Sequence, residues 1–110
     1  MNLKSLSNSE LLTLAKNKSS VEHALALEVI NLIREVDVRR LYLEIGYGSL
    51  FDYVTKELGY EESSALRRIN AARVITQMPE IESKLESGAL TLSNVSQAHV
   101  FFRKEEKIQL

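Results

Sequence analysis

Apolar residues along this chain recur every three or four positions, and nowhere do they alternate with polar ones long enough to make a strand. The first such run, Leu11, Leu12, Leu14 and Ala15, follows Ser7-Asn8-Ser9-Glu10. That is a capping-box pattern, in which Ser7 and Glu10 satisfy free backbone N–H groups reciprocally. The pattern predicts a first helix that stops near Asn17. Ser19-Ser20-Val21-Glu22 repeats the signature and predicts a long second helix over roughly 19–45. In it Leu25, Val29, Leu32 and Val36 follow 4-3-4 spacing, and Leu27, Ile30, Ile33 and Leu41 widen the stripe. So broad an apolar face belongs to the central helix of a bundle, covered on more than one side.

Glu44-Ile45-Gly46-Tyr47 and Glu57-Leu58-Gly59-Tyr60 are two copies of one helix-stop pattern, because Gly accepts the left-handed conformation that ends a helix. Ser49 is placed to cap the third helix, "SLFDYVTKEL", with Asp52 at its favourable N-terminal end. A fourth helix is expected from about Glu61 to Gln77. A fifth covers "MPEIESKLESG", with Pro79 at its first position and Gly88 after its last. A sixth starts near Thr91. The expected fold class is all-α: a compact bundle of about six helices around one long central helix, with a helix-turn-helix-like corner over about 50–77. The 110 residues read as one helical domain. The final segment, through Phe101-Phe102 to Leu110, carries no stop signal. It is therefore expected to be the front part of a longer protein, or to place its last helix on a partner.

At the corner, Val54 and Leu58 are expected to face the core from the third helix, and Ala65, Leu66 and Ile69 from the fourth. The outer face of the fourth helix would then offer Ser63, Ser64, Arg67, Arg68, Asn70 and Ala71, with Arg73 beside the backbone of a bound duplex. Ser bonds phosphates or bases, Arg pairs bidentately with guanine and Asn with adenine, so this is a candidate nucleic-acid-binding set. An ordinary helical corner explains the same residues. Basic side chains toward a helix C-terminus and Glu61 and Glu62 at its N-terminus both suit the helix dipole.

Composition narrows the options. Fourteen basic and fifteen acidic side chains give a formal charge of −1, which excludes binding to nucleic acid by bulk charge and leaves only a local basic face. There is no Cys, so disulfides, thiol catalysis and cysteine zinc sites are excluded. No signal-peptide run and no membrane-length apolar stretch occurs, so the expected location is the cytoplasm. His23 and His99 lie in different predicted helices and make no metal motif. The carboxylates alternate with basic residues as solvated faces do, and there is neither a nucleophile elbow nor a phosphate loop. No catalytic residue, metal site or cofactor is expected. The four tyrosines, Tyr42, Tyr47, Tyr53 and Tyr60, cluster at the two glycine stops and are expected in the core rather than as a stacking platform.

From about Val38 to Ala98 the chain resembles the helical N-terminal region of bacterial HNH-nuclease-like proteins. There a long helix leads to R-x-x-L-x-x-x-G-[YF]-x-S-L-[FW]-x-Y-x-x-x-x-L-G-[YLM], then an A-x-x-R-[IV]-x-A-A-R helix, a P-x-[IV] helix and a G-x-[LI]-[ST]-[LV] step. The matching residues are Arg40, Leu43, Tyr47, Ser49, Leu50, Phe51, Tyr53, Leu58, Gly59 and Tyr60, continuing through Ala65, Arg68, Ile69, Ala71, Ala72, Arg73, Pro79, Ile81, Gly88, Leu90, Thr91 and Leu92. The latter half is also similar in layout to the helix-turn-helix of ParB-type partition proteins. These resemblances imply a DNA-binding domain that targets an HNH-endonuclease-like protein, with Ser63, Ser64, Arg67, Arg68, Asn70 and Arg73 as contacts and DNA as partner. Glu61 stands where relatives commonly place a capping Ser, and no HNH segment occurs in the 110 residues, so no nuclease chemistry falls to this chain. The alternative from a different class is a protein-interaction or dimerisation module. It would use the long apolar helix and Phe101-Phe102, with a second copy or a C-terminal domain as partner and without nucleic-acid binding.

Overall fold

The computed structural model describes residues 2–98, and every regular element among them is helical. A single 3-10 turn, Leu3–Ser5, precedes α1, Asn8–Arg39. Ser7 caps α1 as its sequence requires, its Oγ accepting from the N–H of Glu10 at 3.1 Å. The expected break near Asn17 does not occur: the first two predicted helices are one helix of 32 residues. No Gly or Pro interrupts the segment. The Ser20 hydroxyl donates back to the carbonyl of Lys16, so it serves the helix interior instead of a new N-terminus. A separate short helix would also have had to bear its own nucleation cost.

The long helix ends earlier than Gly46. Arg40 adopts the left-handed conformation (φ 53, ψ 38), and its N–H donates to the carbonyls of Asp37 and Val36. A short helix α2, Leu41–Glu44, follows before Gly46 turns the chain at φ 96. Ser49 caps α3, Leu50–Asp52, by accepting from the N–H of Asp52. This helix widens at once into a π turn, Tyr53–Glu57, closed by Leu58 N–H donating to the Tyr53 carbonyl. The widening overturns one expectation. In an α-helix Val54 and Leu58 would share a face; here Val54 is fully buried while Leu58 turns outward.

Helix α4, Glu62–Gln77, starts after Glu61 without a side-chain cap, and the Glu61 carboxylate accepts instead from Ser63 Oγ. Helix α5, Ile81–Ser87, begins two residues past Pro79, and Gly88 ends it at φ 82. Helix α6, 92–98, is opened by a reciprocal cap. Asn94 Oδ1 accepts from the Thr91 N–H, and Thr91 Oγ1 accepts from the Asn94 N–H. The expectations placed on His99, Phe101 and Phe102 lie outside the described residues.

Two apolar clusters share α1 and α4. One joins Leu27 and Ile30 to Ala71, Ala72, Val74 and Ile75, closed by Ile81 and Leu85 of α5 and Val95 of α6. The other joins Ile33 to Tyr42, Leu50, Val54, Ala65 and Ile69. Tyr47, Tyr53 and Tyr60 pack against this second cluster, with the Tyr47 and Tyr53 rings edge to face at 6.1 Å. Tyr47 OH donates to the Glu57 carboxylate, a bond that raises the phenol's pKa above its ordinary value and ties the α2–α3 turn to the end of the π turn. Leu66, expected in the core, is exposed, and Ala71, expected on the outer face, is fully buried. The cause is that α4 is covered on two sides and not one, which shifts its free face. From Asn8 to His23, by contrast, every residue of α1 is exposed apart from half-buried Leu14.

Gly59→Ala is expected to destabilise the fold by about 1–2 kcal/mol through backbone strain alone, because φ is 80 and a Cβ there meets nothing within 4 Å. Gly48→Ala, where φ is not positive, should change urea midpoints little. Ile75→Ala removes a fully buried side chain and should cost about 2–5 kcal/mol in the same measurement.

Candidate nucleic-acid interface

The corner that places α4 is built from the π turn, Gly59 and Tyr60. Gly59 supplies the positive φ at which the chain leaves the π turn, and the Tyr60 N–H donates to the Val54 carbonyl at 3.2 Å. Ala65 is fully buried beneath this turn, where only a small side chain lets α4 approach. With about 100° of rotation per residue, the free strip of α4 carries Glu62, Ser63, Leu66, Asn70, Arg73 and Gln77.

The six predicted contact residues therefore do not share one face. Arg73 is exposed on the strip and flanks a groove with Arg34, Asp37, Val38, Thr76 and Gln77. Ser63 is exposed, its hydroxyl donating to Glu61 Oε1 at 3.0 Å. Asn70 is half-buried and donates through Nδ2 to Ser96 Oγ at 2.9 Å, so part of its bonding capacity joins α4 to α6. Arg67 lies at the edge, half-buried, and donates from Nη2 to Ser64 Oγ at 3.2 Å. Arg68 turns to the opposite side of the helix. Its guanidinium lies 4.4 Å from the Tyr60 ring centroid, Nη1 donates to the Ser64 carbonyl, and Nε is buried with no hydrogen-bond partner. It borders a cavity shared with Glu22, His23 and Leu85. The expectation that Arg68 lies on the outer face is corrected: Tyr60 draws it inward, a packing of flat cation on ring that a sequence pattern does not reveal.

Electrostatically the strip is mixed. Among the described residues the ion pairs are Arg39–Glu35 and Lys56–Asp52, both on other helices, so the arginines of α4 are not neutralised by a carboxylate contact. Glu61 and Glu62 sit at the N-terminal end of the strip, where a phosphate would meet them unfavourably. Arg34 is a neighbour that the helix-turn-helix pattern did not include. It donates to Asn31 Oδ1, and Asn31 donates to Glu82 Oε1 at 2.7 Å, which holds Arg34 beside the Arg73 groove. The signal for it was its position on α1, legible only once α1 is laid against α4. The arrangement can grip an extended anion at Arg73 and Arg34, with Asp37 beside them, and present polar atoms along Ser63 and Asn70.

No protein-family model, curated protein or solved structure matches this chain. Among the described residues no helix is long and apolar enough to cross a membrane, and no group of three or more His, Asp or Glu side chains is gathered as metal ligands.

A double-mutant cycle of Arg68→Ala and Tyr60→Leu, read by denaturant unfolding, is expected to give a coupling of about 0.5–1 kcal/mol. A coupling near zero would mean that the guanidinium and the ring do not interact in solution.

Proposed function

We propose that this chain is a DNA-binding helical domain of helix-turn-helix type, the targeting part of a larger HNH-endonuclease-like protein. The observation that carries the reading is the free strip of α4, where exposed Ser63 and Arg73 and half-buried Asn70 lie between Arg67 and Arg34, with no carboxylate on α4 itself beyond Glu62 and one, Asp37 of α1, in the Arg73 groove. The resemblance of residues 38–98 to the helical region of such proteins supports it from the sequence side. Arg73, Arg67 and Arg34 take the phosphate contacts, Ser63 and Asn70 face the bases, and Arg68 holds the corner in shape. Hydrolysis of DNA belongs in this proposal to a segment outside these 110 residues, and the chain itself is a binding module.

A second reading rests on a separate surface. Leu11, Val21, Leu25 and Leu32 stand exposed along α1, which favours association with another helix.

Fluorescence polarisation with random duplex DNA tests the first reading. Affinity should fall steeply with salt, and Arg73→Ala or Arg34→Ala should each weaken binding about evenly across sequences and lower the salt slope by about 1. Lys4→Ala should leave affinity unchanged. Absence of binding at micromolar protein in low salt ends the proposal.

A further inference from the structure

Helix α1 has two apolar faces, and the described residues cover one. Leu27, Ile30 and Ile33 point into the two clusters. On the far side a second stripe runs the length of the helix at positions 11, 14, 18, 21, 25, 28, 32 and 35, alternating steps of three and four. That is the spacing of a coiled-coil seam. Leu11, Val21, Leu25 and Leu32 in it are exposed, Leu14 is half-buried, and Lys18, Glu28 and Glu35 are its charged members.

We propose that this seam pairs with the same seam of a second copy of the chain, antiparallel, about a two-fold axis beside residue 23; the inference rests on the association reading and is independent of DNA binding. The charges select the occupant and its direction. In an antiparallel pair with that axis, Lys18 faces Glu28 of the second copy, Val21 faces Leu25, and Leu14 faces Leu32. Each of these contacts occurs twice, as an isologous interface demands. A parallel, in-register pair would instead set Lys18 against Lys18 and Glu28 against Glu28. Sliding the antiparallel pair by one heptad toward the C-terminus keeps Lys18 against Glu35 and Val21 against Leu32, but sets Leu25 against Glu28 and Leu14 against Arg39. The register about residue 23 matches apolar with apolar and cation with anion at the three central contacts and leaves one mismatch, Leu11 against Glu35, at the outer ends.

The tertiary structure adds a receiving groove. Beside Leu32 and Val36, the side chains of Tyr53, Leu58 and Tyr60 form an apolar trough against α1. In the proposed register the first turns of the second copy's α1, bearing Leu11 and Leu14, lie along this trough. It accounts for two features together: the otherwise uncovered arm of α1 from Asn8 to His23, and Leu58 turned outward by the π turn.

Sedimentation equilibrium of the full 110-residue chain, with circular dichroism to confirm folding, tests the pairing. The wild-type chain should be a dimer whose fraction grows with concentration. Lys18→Glu and Glu28→Lys, both at exposed positions, should each weaken dimerisation about tenfold, since each puts like charges at two symmetric contacts. Mixing the two variants should restore association as a heterodimer, because one chain then carries Glu at both positions and the other Lys. Leu25→Asp should abolish dimerisation. A monomer at all concentrations, a dimer indifferent to these substitutions, or a mixture that fails to recover each overturns the proposal. Polarisation with DNA, which reads α4, separates that failure from failure of the DNA reading.

Discussion

Helix α4 is wedged between two apolar clusters, and its alanines make this possible. Ala65 lets the helix pass close under the turn at Gly59, while Ala71 and Ala72 let it lie against α1 and α5. Larger side chains at those places would force the helices apart, since closely packed interiors leave no room for added methylenes. The enclosure fixes which stripe of α4 meets water and where the arginines go. It also makes α1 a two-sided helix, because among the described residues α4 and α5 occupy one side and leave the other largely exposed.

The π turn is the second device. An ordinary helix from Leu50 to Leu58 would bury both Val54 and Leu58 and present a closed surface to the neighbouring turn of α1. The wider spacing keeps Val54 in the core and rotates Leu58 out beside Tyr53 and Tyr60. Thr55, whose hydroxyl donates to the Phe51 and Asp52 carbonyls, sits inside this distorted stretch and helps satisfy acceptors that the wider ladder leaves poorly paired. A local irregularity thus shapes the apolar trough beside α1.

Two surfaces with different chemistry result. The α4 strip is mixed, with Glu62 and Leu66 beside Ser63, Asn70 and Arg73 and with Asp37 beside Arg73 and Arg34; the α1 seam is apolar with charges at intervals. They share no residue, although Arg34 of α1 borders the α4 strip.

The helical class, the caps at Ser7 and Ser49, the stops at Gly59 and Gly88 and the core role of the tyrosines were all legible along the chain. They depend on local chemistry: a hydroxyl reaching a free N–H, a residue tolerating positive φ, a periodic apolar face. The continuity of α1 past Ser19 was not, because a capping pattern works equally well as helix interior when no breaker forces an end. Nor were the outward turn of Leu58, the burial of Ala71 or the inward stacking of Arg68. Those depend on how many neighbours surround each helix and at what rotation, which residues distant in sequence decide. Sequence alone determined the helical class, the caps at Ser7 and Ser49 and which residues can be buried; the tertiary structure decided which of two apolar faces on α1 is used and which arginines face solvent, because burial is a property of the assembled neighbours and not of the segment that carries it.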